Sequence, residues 1–188
     1  EGLGYWNYGF GPFVALADCL MKRTEGKIDL FKFDIVEKVS KFYYKCFFKG
    51  QRIVSFADGD TTAPFVASTH SILMERFPEL AVPKDFVNLD LLFDGRLHYT
   101  ARFFNLTTER FALSDGKKFG THIFPAAQWY VSSSTNDVGF AAKGGNNAEP
   151  HNHNDVGTFI FAKNGRQVLI DIGGGPYSKQ YFNKDTRY

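Results

Sequence analysis

The stretch Thr158–Asp171, TFIFAKNGRQVLID, decides how this chain is read. Two apolar runs flank Asn164-Gly165, and an Asn-Gly pair supplies the two left-handed residues that a tight hairpin turn demands. The stretch is therefore predicted to be a hairpin, with Lys163 opposite Arg166 and Thr158 opposite Asp171. Immediately upstream, VGFAAKGG (138–145) and THIFPAAQWYVSSS (121–134) share the same β-branched and aromatic content. The C-terminal part thus reads as an antiparallel sheet.

Toward the N-terminus the period changes from two to between three and four. Apolar side chains at Ile28, Phe31, Ile35, Val39, Phe42, Tyr43 and Cys46 form one helical stripe, with Asp29 placed to cap its start and Gly50 to end it. Two further helices are expected over 5–22, where Gly9, Gly11 and Pro12 weaken the start, and over 65–77, closed by Pro78. The segment 81–120 is mixed and punctuated by Pro83, Gly95 and Gly116, so a boundary is placed near residue 84. Helices followed by strands define an α+β chain.

Composition bounds the function. With 188 residues and 44% hydrophobic content the chain can bury a real core. A net charge of +2 and the absence of any Lys or Arg run argue against a nucleic-acid partner. Two cysteines, Cys19 and Cys46, make no disulfide framework and are expected as small buried thiols in helices. Nothing approaches the roughly 18 apolar residues of a membrane span. The opening EGLGYWNYG reads like the interior of a longer protein.

The chemistry concentrates in EPHNHNDVG, 149–157. On extended backbone alternate residues share a face, so His151 and His153 would present two imidazoles side by side, suited to a metal or a polyanion. A cupin-type metal site uses such a pair, and Gly145 stands at the right distance before it, but Gly157 and Thr158 occupy the positions where its glutamate belongs. Trp129 and Tyr130 alternate across a strand, so one is expected to stack on sugar while the other is core. Asp58 and Asp60 in FADGD are read as shaping a loop between helices.

A longer pattern joins these residues. His151, His153, Asp155, Phe159, Asn164, Gly165, Asp171, Gly173 and Tyr177, in that order, together with EGLGYWNYGF at the start, resemble the heparinase II/III-like polysaccharide lyases, a group that includes oligoalginate lyases. The resemblance covers the first ten residues and 141–188. It implies the end of an incomplete (α/α) toroid over 1–84, a linker over 85–120, and the opening strands of an antiparallel β-sandwich over 121–188. It also implies β-elimination on a uronic-acid polysaccharide, and with it a periplasmic or secreted protein.

That reaction removes the proton at C5 of a uronate and expels the oxygen at C4, which requires a base, an acid and a group that neutralises the carboxylate. The resemblance implies Tyr8 as the catalytic tyrosine, with Tyr5 as the alternative, and His151 as the catalytic histidine. Asn147, Glu149, Asn152 and Trp129 are expected to contact substrate. His153 and Asp171 correspond to ligands of a structural zinc whose third ligand, usually a later histidine, has no counterpart here, since no histidine follows His153. The neutralising residue is expected to precede Glu1. Regular pairing along the hairpin would hold His153 away from Asp171 unless the chain bends near Gly157.

Overall fold

The computed structural model describes residues 2–50, 52–63, 65–80, 82–83, 113–114, 120–148, 153, 156–175, 178–181 and 183. In chain order these form α1 (Leu3–Tyr5), a π-helical turn (Trp6–Phe10), α2 (Gly11–Arg23), a 3-10 turn (Leu30–Lys32), α3 (Asp34–Lys45), β1 (Phe47–Lys49), β2 (Arg52–Ile53), α4 (Ala67–Arg76), β3 (Val82–Pro83), β4 (Leu113–Ser114), β5 (Gly120–Phe124), β6 (Trp129–Ser133), β7 (Val138–Lys143), β8 (Phe159–Lys163) and β9 (Arg166–Leu169). They divide into two compact units that interleave along the sequence. One comprises Tyr5–Lys45 with Pro64–Lys117, the other Glu1–Gly4, Cys46–Ala63 and Lys118–Tyr188.

The helical unit holds α2, α3 and α4. Pro12 stands in the first turn of α2, where its missing N–H is not needed. The helix ends where the Gly26 N–H donates to the Met21 carbonyl at 2.8 Å, with Gly26 at φ +81. The long helix expected from Ile28 is broken. Asp29 caps only the 3-10 turn, accepting from the Phe31 N–H at 3.0 Å, and Phe33 is extended before α3 starts at Asp34. That break rotates the stripe: Val36, Ser40 and Tyr43 face inward, while Ile28 and Ile35 are exposed. Gly50 serves the β1–β2 turn rather than a helix end, Cys46 is buried just past α3, and Cys19 is exposed on α2.

The sheet unit is a five-stranded antiparallel meander, ordered β5-β6-β7-β8-β9. Trp129, Val131, Ala141, Ile160 and Ala162 are buried on one face, whereas Ile123, Tyr130 and Phe159 stand exposed on the other. This is the period-two alternation that the sequence shows. The Asn164-Gly165 turn has φ +52 and +77, as a type I′ hairpin requires, and Lys163 pairs with Arg166 as expected. Thr158 does not pair with Asp171, because a bulge intervenes: Ala162 pairs with Gln167 but Phe161 with Leu169, leaving Val168 over.

The β1–β2 segment lies on the buried face of the sheet. A Cβ at Gly139 would stand 2.3 Å from Cδ1 of the buried Phe48 ring, so only glycine admits that contact. Gly139→Ala is therefore expected to destabilise this unit by about 1–3 kcal/mol, read as a lower urea midpoint with an unchanged slope.

Candidate functional site

The site begins with the turn that follows β2. Phe56 packs its ring edge-on against Trp129, centroids 4.9 Å apart, which ties the turn to the sheet. The Gly59 N–H donates to the Phe56 carbonyl at 3.1 Å, and a Cβ at Gly59 would lie 2.9 Å from that same oxygen. Between them Ala57 is held at φ +54, a left-handed conformation that costs a side chain about 1–2 kcal/mol. The geometry presents the Asp58 carboxylate to His153: Oδ1 lies 2.8 Å from Nε2, with both side chains nearly buried, at 11% and 12% exposure.

The other wall comes from the strand that leaves β9. Asp171 is buried, and its Oδ1 accepts the Gly173 N–H at 2.8 Å in a local turn. Gly173 has φ +72, and a Cβ on Gly174 would meet Asp58 Oδ1 at 2.7 Å, so the glycine run Gly173–Gly175 lets backbone pass the carboxylate. Together these segments line a cleft of about 440 Å³, with Ser55, Asp60 and Gln167 adding polar groups. Gln167 reaches it because it pairs with the buried Ala162 and so points its amide to the same face, where Nε2 donates to the Ile53 carbonyl at 2.9 Å.

The bend that the sequence permits before the hairpin is present. Gly157 has φ +84, its N–H donates to the Gly144 carbonyl at 3.4 Å, and the Lys143 N–H donates to the Thr158 carbonyl at 3.0 Å. Upstream of this turn, His153 meets Asp58.

Of the expected site residues, His151, Glu149 and Asn152, with Asp155 and Tyr177 of the motif, lie outside the described residues. Asn147 is exposed in a turn that Asn146 closes by accepting the Ala148 N–H at 2.9 Å. Trp129 corrects the expectation of a sugar contact: at 5% exposure it is core against Phe56. The accessible ring of the pair is Tyr130, which meets Phe140 edge-on at 6.1 Å, and Phe140 in turn stacks with Phe159.

Tyr8 is 59% exposed and Tyr5 40%, their rings edge-to-face at 6.1 Å. Both belong to the stretch where α1 passes into the π-helical turn Trp6–Phe10, a wide geometry that recurs at functional sites. Asn7, buried between them, is a polar residue that the sequence did not single out.

Zinc chemistry was expected at His153 and Asp171. Among the described residues no group of three or more His, Cys, Asp or Glu is arranged to hold an ion, and Nε2 of His153 is engaged by Asp58. The described side chains do not by themselves fit a four-coordinate zinc site.

The helical unit contains a buried histidine that its sequence context did not reveal. His70 on α4 is fully buried, stacked on Phe65 at 4.3 Å and on Trp6 at 5.6 Å, with Tyr43 tilted against it. Burial pushes its pKa down to about 3, so the ring is neutral. Burial first, and the neighbouring Tyr43 second, hold the Tyr44 hydroxyl well above the ordinary tyrosine range. Tyr44 therefore keeps its proton, and its hydroxyl shares a 2.7 Å hydrogen bond with Nδ1 of His70, while Nε2 is buried without a hydrogen-bond partner among the described residues. A neutral, enclosed imidazole of this kind is a packing element.

These features define a chain with a helical layer and an antiparallel five-stranded sheet, the sheet unit carrying a polar cleft beside a histidine–aspartate pair. No family model and no curated protein matches the chain. Among solved structures, a heparinase III with methylated lysines is similar in fold, with a TM-score of 0.50 and 19% identity. The likeness covers 82% of this chain but 21% of that one, so the chain spans about a fifth of the heparinase. No described helix is long and apolar enough to cross a membrane.

Proposed function

We propose that this chain is a central segment of a polysaccharide lyase that cleaves uronic-acid glycans by β-elimination, joining the last helices of an (α/α) toroid to the opening of a β-sandwich. The observation that carries the reading is the fold likeness to a heparinase III. The exposed tyrosine pair where α1 meets the π-helical turn and the His-x-His-x-Asp run support it.

In this reading Tyr8 moves the proton at the sugar. A free tyrosine, with a pKa of about 10, is a competent acid for the departing C4 oxygen, and as a base it requires a neighbouring cation or imidazole to favour its phenolate. Tyr5, edge-on to Tyr8, is the alternative for the same role. His151 is the second proton-handling group. Tyr130 takes the sugar-facing role first considered for Trp129. The substrate is an acidic polysaccharide whose uronate carboxylate is neutralised during the reaction. No step is assigned to a metal.

The test uses the full-length parent protein with heparan sulfate, chondroitin, hyaluronan and alginate. The ultraviolet absorbance of a C4–C5 unsaturated uronate is expected to rise on one of them, and to slow at least about 100-fold in Tyr8→Phe and in His151→Ala. Undiminished cleavage in both variants would refute the residue roles. Tight binding without any absorbance change would make the protein a glycan-binding relative of the lyases.

A further inference from the structure

We propose that Asp58 is the positioning residue of His153: its carboxylate holds the imidazole through Nε2 and so decides which ring nitrogen of His153 is left for another partner. The inference rests on geometry within one unit, where Oδ1 of Asp58 and Nε2 of His153 lie 2.8 Å apart although the residues are 95 positions apart in sequence.

A carboxylate only accepts hydrogen bonds, so Nε2 must carry a proton whether the ring is neutral or charged. In the neutral ring that leaves Nδ1 as the lone-pair nitrogen, the atom open to any other partner. Histidines that bind metals are commonly oriented by a carboxylate on the opposite nitrogen, and loss of that carboxylate typically lowers affinity or activity about 10–100-fold; an effect of the same order is expected for a histidine positioned in this way without a metal. Both side chains are about nine-tenths buried, so water competes little for this hydrogen bond.

The surrounding backbone is shaped for this contact. Ala57 is kept in a left-handed conformation immediately before Asp58, a Cβ on Gly59 would lie 2.9 Å from the Phe56 carbonyl oxygen, and a Cβ on Gly174 would stand 2.7 Å from Asp58 Oδ1 and push the carboxylate off its present aim. A strained residue and two glycines packed close around one aspartate are what a loop requires when the aim of a side chain matters. The consequence for catalysis rests on the lyase reading; the consequence for the His153 ring does not.

The closing experiment therefore reads the ring first. Full-length protein labelled with ¹⁵N-histidine is observed by long-range proton–nitrogen correlation, with His153 assigned by its disappearance in His153→Gln. The wild-type ring is expected to be protonated at Nε2, and Asp58→Ala to shift it toward a tautomer mixture. Should Asp58→Ala not fold, Asp58→Asn serves: a neutral acceptor moves the Nε2 proton resonance upfield.

A wild-type ring carrying its neutral-form proton on Nδ1, or a resonance indifferent to Asp58→Ala or to Asp58→Asn, overturns the assignment. On a cleaved glycan, Asp58→Ala is expected to lower kcat about 10–100-fold with little change in KM, and Asp58→Asn to restore part of it. A parent protein that cleaves no uronate would remove the lyase reading and leave the Asp58 assignment to be decided by the ring measurement alone.

Discussion

Trp129→Ala is expected to destabilise the sheet unit by about 3–5 kcal/mol, the loss seen when a large buried aromatic leaves a cavity. The indole is 5% exposed, edge-on to Phe56, and sits on β6 between β5 and β7. Its removal subtracts apolar burial from the sheet and also loosens the turn that carries Asp58, since the Phe56 ring is one of the contacts fastening that turn. Urea denaturation followed by circular dichroism measures the first effect, and the His153 ring tautomer the second. Phe56→Ala should lower stability similarly, and the double variant should lose less than the two losses added, because the rings are in direct contact. A Trp129→Ala protein of unchanged stability but weakened glycan binding would instead return the indole to the role of a sugar contact.

The sheet was legible because its signals are local. Asn164-Gly165 fixed a hairpin, and the alternation in β6 and β7 fixed which side chains are buried once the register was set. It was not legible that Trp129 rather than Tyr130 is the inward one. That choice depends on Phe48 and Phe56, which reach the sheet from a segment more than seventy residues earlier, and no periodicity within β6 records it. The bulge at Val168 was equally hidden, since an extra residue in a strand leaves no mark on composition.

The helices show the opposite kind of failure. Ile28, Phe31 and Ile35 fall at helical spacing, yet the chain is extended at Phe33, and the stripe belongs to two separate turns. Asp29 is a correct cap for a 3-10 turn and was read as the cap of something longer. Spacing reports a face only if the backbone between the residues is continuous, which a pattern cannot guarantee.

The candidate site divides along the same line. The tyrosine pair and the two histidines are contiguous in sequence and could be found there. Asp58 could be noticed in FADGD but not joined to His153, because the pairing depends on the clearance at Gly174. The glycines that make the site possible were visible as residues and silent as contacts.

His70 supplies the strongest expected pH effect. Its pKa is 6.5 in the unfolded chain and about 3 when folded, the depression arising from burial. Below pH 6.5 the unfolded state therefore binds a proton that the folded state refuses. Its neutral burial leaves stability intact above that value and removes it progressively as pH falls toward 3. The slope is about 1.4 kcal/mol per pH unit, which gives the helical unit roughly 2 kcal/mol less stability at pH 5 than at pH 7.

Trp6 stacks on His70 and reports on it directly. In a Trp129→Phe background Trp6 is the remaining tryptophan of the 188-residue chain, so its fluorescence during urea titration follows the helical unit. His70→Gln keeps an acceptor for the Tyr44 hydroxyl while removing the titrating ring, and should flatten the dependence between pH 7 and 5 even if it lowers stability at both. Carboxylates, with ordinary values near 4, contribute little in that window, and the other histidines are common to both proteins. An equal slope in His70→Gln would show that the aromatic cage admits the proton, and that the ring pairs with water or charge rather than with Phe65, Trp6 and Tyr44.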